Sequence, residues 1–227
     1  MLNRFRSKLA TFAQTSGVVY VVRETAIVTV GILIAFGLNA WWENHKESRE
    51  EGKHLRTLAS DFGQNATRLK ELINLEGQIQ AASLSLIRSD REMDTAALRT
   101  AIGRVFSSDR FEPVMGAYEG LVSSTGLTLV SDEQLRGDLA SFAAAVENPY
   151  GERMSNDLYF AFTREFIGKL QYANSVAGLP TSEPGYRELL SDPRFREHLA
   201  LRYAAERDVE RYYRHLLDLC ERINARL

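Results

Sequence analysis

From Thr25 to Trp42 the chain reads TAIVTVGILIAFGLNAWW, 18 residues without an ionisable side chain. As α-helix this run rises about 27 Å, close to the roughly 30 Å of a bilayer's hydrocarbon core. Val18 to Val22 is also apolar, so the span extends back to residue 18. It then carries Arg23 near one interface, where a guanidinium can reach the headgroups along its aliphatic stem. The run leaves through Asn39-Ala40-Trp41-Trp42-Glu43 and not through a small-x-small cleavage pattern. Tandem tryptophan suits a permanent position at the membrane interface. The sequence therefore predicts a retained single transmembrane helix over 18–42, with Arg23, Trp41 and Trp42 as interface anchors. Gly31 and Ala35 stand four apart on one helix face, the small-x-x-x-small spacing that lets two helix backbones approach. They are the candidate helix–helix interface, for a membrane-protein partner or a second copy.

Residues 1–17 read as an amphipathic segment lying in the headgroup layer. Leu2, Phe5, Leu9 and Phe12 share a face, while Arg4, Arg6 and Lys8 lie mostly off it. Thr15-Ser16-Gly17 is expected to break it from the span. Residues 1–42 carry Arg4, Arg6, Lys8 and Arg23 against Glu24, a net charge of +3; the whole chain carries −2, which leaves −5 for the remainder. A basic start and an acidic body suit an anchored domain, and they exclude the concentrated basic patch of a nucleic-acid binder. Basic residues are nearly balanced across the span, but Lys46, Arg49, Lys53 and Arg56 are interleaved with Glu43, Glu47, Glu50 and Glu51. That interleaving suits a solvated helix face, and favours a cytoplasmic N-terminus with the domain on the other side.

Residues 43–227 are expected to form an all-α, helical-bundle domain outside the membrane. The span continues into a long helix over 43–89. Leu55, Leu58, Phe62, Asn65, Leu69, Leu72, Glu76, Ile79, Ser83 and Leu86 follow one another in steps of three and four, the seam of a coiled-coil-like packing. Its polar members, Asn65, Glu76 and Ser83, read as register-setting contacts with a partner helix or, the favoured reading, as a sign that the stripe drifts around a straight helix, with Leu75, Ala82 and Ile87 taking over. Further helices are expected over 95–107, from Pro113 through Val122, from a capping box at Ser131-Asp-Glu-Gln134, over 152–176, and from Asp192-Pro193 to Arg226. Residues 126–130 are expected as an extended loop and 178–185 as the longest loop. Tyr159, Phe160, Phe162, Phe166 and Tyr172 read as core, with a ligand groove as the alternative. On the last helix Val209, Tyr213, Leu216, Cys220, Ile223 and Leu227 form a stripe to pack along the first.

No catalytic signature is present. His45, His54, His198 and His215 lack metal-ligand spacing, and there is no HExxH, phosphate loop or GxSxG. Cys220 is the only cysteine and reads as a small apolar residue. No catalytic residue, metal or cofactor is expected, and the chain does not read as an enzyme.

Glu24 to Phe36, with Asn39 and Trp41, resembles an uncharacterised family of bacterial single-span membrane proteins, a domain of unknown function with a Glu-led GILIA-type anchor and a Trp exit. The likeness continues at His54-Leu55 to Asp61-Phe62, at Tyr118-Glu119-Gly120-Leu121 to Ser131-Asp-Glu-Gln-Leu135, and at Asp192-Pro193-Arg194-Phe195; Gly120 departs from the family's larger polar residue. The resemblance implies a membrane-anchored helical domain in a bacterial inner membrane and no assigned activity; with the orientation that the charges favour, the helical domain is expected to be periplasmic. The expected function is an accessory, scaffold or interaction subunit of a membrane assembly. A tethered sensory or small-ligand-binding domain is the alternative.

Overall fold

The computed structural model describes residues 2–89, 93–124, 127–170 and 183–227, and the regular elements among them are all helical. Helix α1 is Leu2–Arg88, α2 Thr95–Val105, α3 Gly116–Ser124, α4 Glu133–Glu147, α5 Tyr150–Phe166, α6 Glu183–Ser191 and α7 Pro193–Asn224. The 3₁₀ turns Leu127–Leu129 and Ile167–Leu170 complete the set. The chain forms two compact units, Met1–Lys53 and His54–Leu227.

In the first unit the helix runs through Thr15-Ser16-Gly17 without the expected break. Each of these residues costs at most about 1 kcal/mol in a helix interior, too little to interrupt one that has good formers on both sides. The side chains of the amphipathic segment lie outside the described residues. Arg23–Glu43, 21 residues, is long and apolar enough to cross a membrane, and none of it is buried within the chain.

In the second unit the seam of α1 holds its line. Leu58, Phe62, Asn65, Leu69, Leu72, Glu76, Ile79, Ser83 and Leu86 are all buried. Leu75, Ala82 and Ile87 are only half-buried, so the expected drift does not occur. One polar member, Asn65, stays on the seam because it is bonded inside the domain. Asn65 donates to the Val114 carbonyl at 2.9 Å and accepts from the Val114 amide at 2.7 Å, as a paired strand residue would. Asp61, beside the seam, accepts from the Ala117 amide at 2.9 Å and so satisfies a free N–H in the first turn of α3.

Helix α7 lies antiparallel to α1: Lys70 pairs with Glu221 at 2.9 Å, and Gln80 with Glu210 at 2.6 Å. Asp192 launches it by accepting from the Arg194 amide at 2.9 Å, with Pro193 in the first turn. Two apolar cores flank this pair. One joins Leu58 to Leu72 of α1 with Leu121, Leu135, Leu139 and Phe142 and with Val209 to Ile223 of α7. The other joins Leu86 with Leu98, Ile102 and Val105, Phe162 and Phe166, Leu189, Phe195 and Leu199. Each fully buried Leu or Phe contributes about 2 kcal/mol relative to exposure. Cys220 is buried in the first core, and burial pushes its thiol up to about 12.

Several boundaries differ from expectation. Helix α3 starts at Gly116 instead of Pro113, because Val114 is held by Asn65 in a non-helical strap. The extended linker contains the 3₁₀ turn Leu127–Leu129. The cap of α4 is Asp132, which accepts from the Gln134 and Leu135 amides, and not Ser131. Helix α5 begins at Tyr150 and ends at Phe166. Helix α6 was not expected; Pro184 sits in its first turn, where the missing N–H breaks no helical bond. Gly126, Tyr172 and the start of the 178–185 loop lie outside the described residues.

Candidate functional site

Between the two apolar cores lies a layer of charge. Glu76 of α1 and Arg202 and Glu206 of α7 are each no more than 3% exposed, and Ser155 of α5 is buried beside them. The elements bring them together by helical period. Arg202, Glu206, Val209 and Tyr213 share one face of α7, and Glu152, Ser155 and Tyr159 one face of α5.

The bonds are short and mostly complete. Arg202 pairs with Glu206 Oε1 at 2.7 Å and donates to the Ser107 carbonyl at 2.7 Å. Its guanidinium carbon sits 4.8 Å from the centre of the Tyr159 ring, in the cation–π range. Ser155 donates to the same Glu206 oxygen at 2.9 Å. Glu152 Oε1 accepts from the Tyr213 hydroxyl and from the Phe111 amide, both at 2.9 Å.

These bonds also fix the strap 107–115, which connects α2 to α3 without regular structure. Arg202 holds it at Ser107, Arg68 at Asp109 (2.6 Å), Glu152 at Phe111 and Asn65 at Val114. The strap forms one wall of a cleft of about 360 Å³ whose lining includes Glu76, Glu152, Arg202, Glu206 and Tyr213.

Two atoms in this layer have no hydrogen-bond partner among the described residues: Glu76 Oε2 and Arg202 Nε. Burial is the main cause that drives the Glu76 carboxyl far above the ordinary carboxylate range, followed by the hydrogen bond and charge of Glu206; Arg202 opposes the shift only in part. Glu76 is therefore a neutral acid at pH 7, beside a carboxylate already committed to Arg202. Burial lowers the Arg202 guanidinium, and Glu206 and Glu76 act against that; a guanidinium keeps its proton at pH 7 regardless. Burial, with Glu152 close by, raises the Tyr213 hydroxyl, which stays a hydrogen-bond donor. Among the described residues no cluster of three or more His, Cys, Asp or Glu side chains is arranged to hold a metal ion.

The residues singled out in the sequence are elsewhere. Arg23, Gly31, Ala35, Trp41 and Trp42 are exposed on α1. A Cβ added at Gly31 would meet no atom within 4 Å, so that face is open. Trp41 stacks on His45, with ring centres 5.5 Å apart. Phe162 and Phe166 are buried in the second core, as expected; Phe160, expected as core, is exposed, because it falls on the opposite face of α5. Glu76 was visible in the sequence as a polar seam position. Arg202 and Glu206 were missed, although continuing the Val209 stripe back by three and then four residues reaches both. Protein-family models, curated proteins and solved structures offer no match to this chain.

Proposed function

We propose that this chain is a single-span membrane protein that holds its helical domain at the bilayer surface, as an accessory, scaffold or interaction subunit of a membrane assembly. The observation that carries the reading is the exposed apolar surface of Arg23–Glu43: Ile27 is 62% exposed, Leu33 63%, Phe36 70% and Trp42 67%. Nothing in water offsets a continuous apolar cylinder of this size, whereas lipid does. The basic N-terminal residues and the mixed-charge exit favour a cytoplasmic N-terminus and a periplasmic domain, and the anchor's resemblance favours a bacterial inner membrane. Asn65 is committed inside the domain, so the interaction surface is sought on the Gly31 and Ala35 face and not along the seam.

Cys220 is buried, so an introduced thiol at position 35 is the one free to pair across a helix contact. Ala35→Cys in native membranes, oxidised with lipid-soluble copper phenanthroline, is expected to give a disulfide dimer if the partner is a second copy. A photoreactive diazirine side chain at position 35 is expected to give a discrete heteromer if the partner is another subunit. A monomer on cross-linking, and a strictly monomeric particle after mild detergent extraction, count against the reading.

The charged cleft supports a second reading, a tethered sensory or ligand-binding domain. A fold that needed these groups only for stability has no use for a cleft beside two unpartnered buried polar atoms.

A further inference from the structure

We propose that the cleft between α1, α5 and α7 binds a small organic cation, an ammonium group on a compact apolar body with a neighbouring hydroxyl or carbonyl. This deepens the ligand-binding reading above and rests on it. The volume, about 360 Å³, falls in the lower part of the range for small-molecule sites, about 300 to 1,000 Å³.

The sign of the ligand follows from which charges are already spent. At the rim, Asp109 is held by Arg68 and Arg110 pairs with Glu112 at 2.8 Å, while Arg153, which donates to the Glu147 carbonyl, keeps its positive charge at the outer edge. The inner wall then presents Glu152 and Glu206 against one guanidinium, Arg202, a net charge of −1, with the neutral carboxyl of Glu76 beside them. Arg202 already serves Glu206 and the Ser107 carbonyl. An anion entering here meets net negative charge, whereas an ammonium meets acceptors.

The polar detail of the ligand follows from the two orphan atoms. Glu76 Oε2 is an acceptor without a donor, in a side chain only 2% exposed. Arg202 Nε is a donor without an acceptor, in a side chain equally buried. Both atoms are closed off from the cleft in this conformation, so an amino alcohol or amino carbonyl supplies one group for each once the Glu76 and Arg202 side chains turn toward it. Phe111, Val209 and the ring of Tyr213 offer apolar surface for the rest.

Binding carries a proton signature. The neutral carboxyl of Glu76 faces Glu206, Arg202 and Tyr213 from α7 and Glu152 from α5. A cation placed against it stabilises its ionised form, so the proton leaves to solvent as the ammonium enters. Affinity for the ammonium then rises about tenfold per pH unit while Glu76 is protonated in the empty cleft.

The experiment uses the full chain in phosphatidylcholine nanodiscs, with empty discs as the blank. The probe is 2-amino-1-phenylethanol, compared with neutral 1-phenyl-1,2-ethanediol and anionic mandelate. Calorimetry at pH 7 in phosphate and in Tris reads the protons released. The expected result is saturable binding of the amine, release of about one proton per ligand, and at least tenfold preference over both comparison compounds. Glu76→Gln, checked for folding by its thermal transition, is expected to weaken the amine at least tenfold at pH 8 and to abolish proton release. Preference for the diol or for mandelate overturns the cation proposal and leaves a ligand-binding domain. Amine binding that is unchanged in Glu76→Gln, or without proton release, overturns it as well. No saturation by any of the three removes the ligand-binding reading too.

Discussion

Along α1, the side chains from Ile27 to Leu38 include large apolar groups that are half or more exposed, whereas Glu76 on the same helix is a carboxyl at 2% exposure. The two regions depart from ordinary burial in opposite directions. Exposed apolar surface asks for a different solvent, and its cost disappears in lipid. A buried acid asks for partners, or for a proton. At this layer Glu206 has Arg202, and Glu76 has the proton. The difference teaches that one helix can be stable in both settings because its backbone bonds are satisfied internally, leaving the side chains to choose the surroundings.

The comparison breaks most sharply at Arg202. Replacing Arg202 with Ala leaves Glu206 without its cation and the Ser107 carbonyl without its donor. The expected loss is about 3 to 5 kcal/mol of domain stability, read by urea unfolding at pH 7. A loss below about 1 kcal/mol would mean that water already solvates the layer.

A charge in the other region should cost somewhat less. Leu33→Arg places a guanidinium near the middle of the Arg23–Glu43 segment, at a cost of about 3 kcal/mol in membrane insertion. The expected outcome is a large fraction released by alkaline extraction, with Leu33→Ala retained. Release of the unsubstituted chain by the same treatment would remove the membrane-span assignment, and equal retention of both variants would show that one guanidinium is tolerated there; the stability of the His54–Leu227 unit should be untouched either way.

The smallest effect is a gain. The folded-state pKa of Glu76 is raised above its ordinary 4.5. The folded protein therefore holds this proton where the unfolded chain has lost it. Its contribution to stability is fully present below about pH 4.5 and declines as pH rises toward the folded value. Glu76→Gln keeps the shape of the neutral acid without a proton to lose. It is expected to raise stability at pH 8 by about 2 kcal/mol and to leave stability at pH 4 unchanged, as read by thermal unfolding across pH. A destabilised variant at pH 8 would show that Glu76 is ionised and paired in the folded domain.

Much of the helical framework was legible in the sequence, for reasons tied to particular residues. The steps of three and four from Leu55 to Leu86 mark a helical face by period alone, although the drift expected from its polar members does not occur. Asp192-Pro193 marks a helix start because it combines a side-chain acceptor with a residue that needs no N–H there. Legibility failed where a distant residue decided a local outcome. Val114 stays out of α3 because Asn65, 49 positions earlier, occupies both of its backbone groups. Asp132 competes with Ser131 for the same cap, and the sequence alone does not rank them. The cleft was illegible for the same reason: Arg202 and Glu206 at i,i+4 look like any exposed helix pair until α1 and α5 cover them.

By itself the sequence determined that the chain is helical, that one segment within 18–42 is apolar enough for a membrane, and that the last helix carries a stripe to pack along the first. These follow from composition and period, which are local properties. Only the tertiary structure decided that Asn65 of the seam serves the domain's own strap, that Phe162 and Phe166 of α5 fill a core while Phe160 stays exposed, and that three carboxyls and one guanidinium converge in a cleft. Those outcomes depend on which helix faces meet. That is set by the antiparallel pairing of α1 with α7, a contact between residues more than a hundred positions apart.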